Sequence, residues 1–367
     1  MQKTVNKPAA VVPTSTTRKW PSGHEFIMNI LNGMAIGTIV ALIPGALVGS
    51  IFKILLPYAP FLKPLLVATT LSNAAMGPII GVMIGMFFKF TPIQSTSIGL
   101  AVFVGGGVLK GVGEGGKGLI LSGTGDIINM GLTATIAVLL TLWLGDKLKA
   151  YAILLMPTLA VLVAGGIGML TYPYVTQITH AIGVGVNALT TLQPVLMGLL
   201  IAMVFCVLIV SPITTVGIAL AISLAGIGSA ASNVGVAVCG FGFAIAGWKV
   251  NSHGTSIAHV LGSPKMSMAN FLTKPKIVLP MLCASAVSGA AAALMGMQGT
   301  KTTGGFGLAG FVGPLTNLDV QGWDALNIVF TLLSFFVIPF VSAYFFLWLF
   351  EKKLHIVSPE DYRVVAQ

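Results

Sequence analysis

Polar and apolar positions along this chain fall into apolar runs of about twenty residues parted by short polar breaks, the pattern of membrane-crossing helices. The first run, Phe26 to about Leu56, is too long to cross straight and predicts a bend at Pro44-Gly45. The second, Leu62 to Lys89, is interrupted by Ser72-Asn73 and Gly77-Pro78. An uncharged polar patch follows, Thr91 to Ser97. Only seven apolar residues, Ile98 to Val104, then precede Gly105-Gly106-Gly107, and Ile257–Leu261 is a shorter counterpart further on. Neither is long enough to span, so both are expected to be arms of re-entrant hairpins walled in by protein or lining a wet cavity. The Gly-rich stretches 111–125 and 299–317 predict a further hairpin each. Other spans are expected at about Ile127–Gly145, Tyr151–Leu170, up to Val210, 213–230, Val234–Lys249, Ile277–Met297 and Trp323–Phe350. The milder Tyr172–Leu192 is expected to lie along the membrane interface.

The pattern occurs twice. Ser72-Asn73 returns as Ser232-Asn233, Lys89 as Lys249, and Thr96-Ser97-Ile98 as Thr255-Ser256-Ile257. Gly115-Gly116-Lys117-Gly118-Leu119 is echoed by Gly304-Gly305-Phe306-Gly307-Leu308, and Leu142-Trp143-Leu144 by Leu347-Trp348-Leu349. Matches in one order indicate a duplicated chain. The expected fold is therefore an all-α integral membrane protein of about ten transmembrane helices in two repeated halves, with re-entrant hairpins and broken helices. The divisions are a cytoplasmic segment 1–25, a first repeat 26–149, a linker 150–192, a second repeat 193–353 and a cytoplasmic tail 354–367. An inverted repeat is favoured, because that symmetry gives alternating access around a midplane site.

Composition strengthens the membrane reading. Of the 367 residues 8% are charged and 56% hydrophobic, with a mean hydropathy of +0.97, against about 25% charged in ordinary soluble domains. The net charge of +10 is no nucleic-acid footprint: the lysines stand singly at the ends of apolar runs, where they snorkel and orient the chain. The polar, basic N-terminus and the basic loop 262–276 are expected on the cytoplasmic side of the membrane, as are both termini. Cys206, Cys239 and Cys283 have no metal or redox spacing. No metal, cofactor or catalytic motif is expected, and no catalytic domain.

The candidate solute contacts are the neutral polar residues of the breaks and tips: Asn73, Gln94, Thr96, Ser97, Asn233, Asn251, His253, Thr255 and Ser256, with Glu114. A polyol asks for groups that donate and accept without net charge. Plainer readings stand beside this one: helix caps or interhelical contacts for the Ser-Asn pairs, solvated loops for the tips, and snorkelling for Lys89 and Lys249. Glu114, Asp126 and His253 are the candidates for coupling, since an ionisable group at membrane depth is costly. His253 and His259 lie too far apart to share a helix face as a metal pair.

Two halves with broken helices and paired hairpins resemble the membrane component, enzyme IIC, of the bacterial sugar phosphotransferase system. The runs Ser72-Asn73-Ala74-Ala75-Met76-Gly77-Pro78 and Gly247-Trp248-Lys249-Val250-Asn251-Ser252-His253-Gly254-Thr255-Ser256 are similar to the enzyme IIC-like family that includes the perfringolysin-regulator proteins. The resemblance covers about residues 25–355. It implies a homodimeric inner-membrane carrier that presents a sugar-like solute to cytoplasmic phosphoryl-donor subunits, docking on the loop Gly262–Lys276. The Gly-Ile-Thr-Glu hairpin motif of the better-known sugar families is missing, which leaves two alternatives open: a proton- or sodium-coupled transporter of a small polar or anionic solute, and a membrane sensor.

Overall fold

The computed structural model describes residues 20–112, 118–121, 123–144, 147–148 and 151–364. Among these, six helices are long and apolar enough to cross a membrane, or seven if one bent pair counts as a single span. Two shorter apolar helices, Pro92–Gly105 and Pro194–Val210, accompany them, against the ten expected. The protein is an all-α, multi-pass membrane protein in outline. A two-stranded antiparallel hairpin in the first Gly-rich stretch is the exception.

In chain order, α1 (Gly23–Pro44) passes through a π-helical turn, Gly45–Gly49, into α2 (Ser50–Leu55) at the Pro-Gly position where a bend was expected. Helices α3 (Lys63–Ala74) and α4 (Met76–Phe87) meet at Ala75 with a bend of 51°. Lys89 takes a left-handed φ of 56°, and the Phe90 N–H reaches back to the Gly85 carbonyl, a Schellman closure of α4. Helix α5 (Pro92–Gly105) leads to strands β1 (Leu109–Val112) and β2 (Leu119–Leu121), then α6 (Ile127–Leu144). Next, α7 (Ala152–Leu159) and α8 (Gly166–Leu189) join through a π-helical turn into one apolar rod of 38 residues. The expected separate interfacial segment Tyr172–Leu192 is thus mostly the end of a long helix.

The second half comprises α9 (Pro194–Val210), α10 (Thr215–Ala221), α11 (Gly226–Gly247), α12 (His253–Leu261), α13 (Met268–Thr273), α14 (Leu279–Leu294), α15 (Val312–Gln321), α16 (Ala325–Leu332) and α17 (Ile338–Trp348). Here one expectation fails. α11 runs unbroken through Ser232-Asn233, because both side chains are spent on a neighbouring loop, as set out below.

Packing follows the membrane rule that small residues let backbones approach. A β-carbon at Gly81 of α4 would lie 2.7 Å from the Gly99 Cα of α5, and one at Gly235 of α11 would collide with the Ala202 carbonyl of α9. The halves keep largely separate apolar cores, one from α1, α4, α5 and α6, the others around α9, α11, α14 and α17. Between them sits the stretch expected to be a free docking loop. Pro264, Lys265, Ser267, Met268 and Ala269 are buried, and Met268 belongs to the first-half core.

The C-terminal segment is also packed. Tyr362 is buried against Phe243, and its hydroxyl donates to the Ile277 carbonyl at 2.9 Å. Asp361 accepts from Lys274 at 2.7 Å and lies 3.5 Å from Lys276, so the tail covers part of the basic loop. Burial pushes the Asp361 carboxyl up, but hydrogen bonds from Lys274 and Ser358 outweigh it and hold it at about 2. Its stabilisation is therefore present above the ordinary value of 3.8 and is lost as the pH falls through about 2. Because both lysines are about half exposed, Asp361→Asn is expected to cost only about 1 kcal/mol. Tyr362→Ala is expected to cost about 3 kcal/mol or more by cavity formation. Limited proteolysis should cut the tail of the second variant readily while sparing the helices; equal resistance of both to cleavage would contradict this anchoring.

Candidate solute-binding site

The expected contacts divide into spent and unspent groups. Thr91 and Gln94 close a capping box on α5, the Gln94 amide oxygen accepting from the Thr91 N–H at 3.0 Å. Thr96 donates to the Pro92 carbonyl and Ser97 to the Ile93 carbonyl, bonds within their own helix. In the second half, Asn251 donates to the Tyr362 carbonyl and accepts from the Val364 N–H, at 2.9 and 2.8 Å. Thr255 shares a 3.0 Å hydrogen bond with Ser252, the N-cap of α12. His253 is exposed and stacks on Trp248, with centroids 4.7 Å apart. The two polar patches are therefore the first turns of α5 and α12 rather than open loops: Pro, Ser and Thr at these positions start helices. Ser256 is buried with its hydroxyl unpartnered. Glu114 lies outside the described residues.

The Ser-Asn pairs behave differently from each other. Asn233, buried in mid-helix, accepts from the N–H groups of Phe306 and Gly307, both at 2.9 Å, and donates to the Thr303 carbonyl at 2.9 Å. Ser232 accepts from the Gly305 N–H at 3.0 Å, and Thr215 donates to the Gly305 carbonyl. One asparagine thus satisfies the backbone of a loop that forms no helix or sheet of its own. Asn73 has no such loop among the described residues. It stands two residues before the bend at Ala75, and its buried amide oxygen has no hydrogen-bond partner. Ser72 beside it donates to the Ala41 and Thr69 carbonyls. The Asn73 amide faces Gly45, whose β-carbon, if present, would lie 3.4 Å from it. The π-helical turn 45–49 packs in turn on Ala309–Phe311 of the second half, where Phe311 holds a left-handed φ of 55°. Strained backbone of this kind persists where the surroundings over-determine it, often at ligand sites.

A second polar cluster surrounds Asp126. Its carboxylate caps α6 by accepting from the Asn129 N–H at 2.9 Å and also accepts from Thr179 of α8 at 3.1 Å. Asn129 donates to the Gly168 carbonyl at 2.8 Å and accepts from Thr171. Sequence reasoning singled out Asp126 but missed its repeat. Asp324 caps α16 through the Leu326 and Asn327 N–H groups. Thr133 donates to the Asn129 carbonyl, just as Thr331 donates to that of Asn327. The signal, Asp-x-x-Asn-x-x-x-Thr at 126–133 and 324–331, is legible in the sequence.

Lys265, on the stretch expected to serve as a docking loop, is buried, its ammonium donating to the Ser211 and Ile213 carbonyls at 2.6 and 2.9 Å, just beyond the end of α9. A cation there meets the negative end of the helix dipole. Burial pushes its pKa down to about 7. His259 is buried between the Thr255 carbonyl and the Ser267 hydroxyl. No group of three or more metal-ligating side chains occurs among the described residues.

The arrangement offers a bent helix with an unpartnered amide oxygen, beside a turn that packs on Ala309–Phe311 of the second half. No curated relative and no solved structure matches the chain. The family model described as "Phosphotransferase system, EIIC" matches residues 28–364. Nearly the whole membrane body described above is covered by that match, and the chain belongs to the EIIC family of phosphotransferase-system transport components.

Proposed function

We propose that this EIIC-family protein carries a small polar, sugar-like solute across the bacterial inner membrane and presents it to separate cytoplasmic phosphoryl-donor subunits. The observation that carries the reading is Asn73: a buried, unpartnered amide oxygen at a 51° helix break. A buried polar atom left unpaired costs about 1–3 kcal/mol, and a sugar hydroxyl donating to it would recover that cost. Broken helices that turn their free groups to a midplane solute are a recurring device of carriers. We extend the reading to two inverted repeats, 26–149 and 193–353, joined by a linker 150–192, in a homodimer with both termini cytoplasmic. The repeated Asp-x-x-Asn-x-x-x-Thr caps support the duplication. The lengths of α5 and α12, 14 and 9 residues, support their assignment as re-entrant arms. With Asp361 and the tail on Lys274 and Lys276, a donor subunit would dock on the remaining exposed rim.

A second reading is an ion-coupled carrier. It is favoured by Asp126, a buried carboxylate held by neutral donors, with no ion pair among the described residues. Uptake of labelled sugars into proteoliposomes separates the two. Under the first reading, accumulation requires a phosphoryl donor system and yields phosphorylated solute. Accumulation driven by a proton or sodium gradient alone, and lost in Asp126→Asn, would replace it with the second.

A further inference from the structure

A groove of about 590 Å³ runs along the flank of the second half, between the C-terminal part of α11, α12 and α17. Its floor and walls are apolar or aromatic, among them Phe241, Ile245, Val260, Leu261, Phe340 and Tyr344. Charge enters only at one end. Lys249 and Glu351 line it there, but Glu351 is 3.0 Å from the Lys352 ammonium. Lys249 has no ion-pair partner among the described residues. Beside Lys249 stands Trp248, its exposed ring stacked on His253. An indole and an unpaired ammonium together at the end of an apolar surface are the interfacial pair of membrane proteins.

We propose that this groove is a binding site for an anionic phospholipid. An acyl chain lies along the apolar floor, and the headgroup phosphate accepts from the Lys249 ammonium with the Trp248 ring at the level of the ester groups. The commitment to lipid follows from the shape of the charge. The groove asks for an occupant with an anion at one end and hydrocarbon along the rest; a phosphorylated solute would leave the apolar floor empty. The face of a second copy would have to place an acid at that one end. Basic pockets at the ends of transmembrane helices select anionic headgroups in this way.

The test uses a full-length variant in which Trp20, Trp143, Trp323 and Trp348 are phenylalanine, leaving Trp248 as the only fluorophore of its kind. It is placed in phosphatidylcholine nanodiscs containing increasing amounts of a lipid brominated on its acyl chains. Brominated phosphatidylglycerol is expected to quench Trp248 half-maximally at a mole fraction several-fold lower than brominated phosphatidylcholine does. Lys249→Gln should bring the two lipids to parity and Lys249→Arg should keep the preference, with monodisperse gel filtration showing that both variants are folded. Equal quenching by the two lipids in the parent protein would mean ordinary boundary lipid and overturn the proposal. Relief of quenching by millimolar inorganic phosphate would reassign the cation to a soluble phosphate and overturn it as well. Absence of quenching by either lipid, together with disulfide cross-linking of Tyr344→Cys between copies, would show that a second copy covers the groove instead.

Discussion

Asn233→Ala is expected to unfold the second Gly-rich loop and to cost about 2–4 kcal/mol, whereas Asn73→Ala should leave the fold intact and abolish solute binding. Both asparagines follow a serine in an apolar run, but their surroundings differ. Asn233 alone supplies partners to the Phe306 and Gly307 N–H groups and the Thr303 carbonyl. Removing it leaves backbone polar groups unpaired in a buried setting, each costing about 1–3 kcal/mol. Water reaching a partly buried loop recovers some of that, hence the range. Asn73 contributes no comparable brace, and its amide oxygen is already unpaired, so truncation removes a binding group with little loss of stability. Thermal unfolding in detergent, read beside solute binding by calorimetry, checks the pair. Unchanged melting of Asn233→Ala, or undiminished binding by Asn73→Ala, would reverse the assignment of roles.

The protein is also expected to gain stability as the pH rises from 7 towards 10, and Lys265→Met should remove that gain. A lysine whose folded value is about 7 against an ordinary 10.5 loses its proton earlier in the folded state than in the unfolded one. Between those values the unfolded chain holds more protons, so unfolding becomes less favourable with each increment of pH. Below pH 7 both states are charged and the cost of burying the ammonium is carried in full. At one pKa unit per 1.36 kcal/mol, the gain by pH 9.5 is roughly 3 kcal/mol. The neutral amine still donates to the Ser211 and Ile213 carbonyls, so the contacts that seat Pro264–Ser267 between the halves survive. Melting temperatures measured from pH 6 to 9.5 should rise in the wild type and stay level in Lys265→Met. Parallel curves for the two proteins would show that the ammonium is not buried as described. The same packing predicts that Lys265 is closed to donor subunits.

Several elements were legible without coordinates because a single local cause produces them. Pro44-Gly45 marks a bend since proline disrupts the helical ladder, and the chain does leave regular α-helix at Gly45–Gly49. The apolar runs at 127–144, 279–294 and 325–348 became helices because the bilayer requires backbone groups to be satisfied within the segment. The patches at Thr91–Ser97 and Asn251–Ser256 start helices, which the sequence left open for a related reason. Serine and threonine favour both loops and helix N-caps, and only the hydrogen bonds of Thr91 and Ser252 distinguish the two.

Sequence alone was enough to establish a helical membrane body, the recurrence of its motifs and the family that body resembles, because hydropathy and spacing are properties of the chain itself. Which Ser-Asn pair braces a loop and which keeps an open amide depended on partners 70 residues or more distant. So did the burial of Lys265, whose carbonyl partners lie more than 50 residues away, and the capture of Asn251 by the C-terminal segment. Such bonds form only after helices have packed, and nothing in the local sequence states which donor will meet which acceptor.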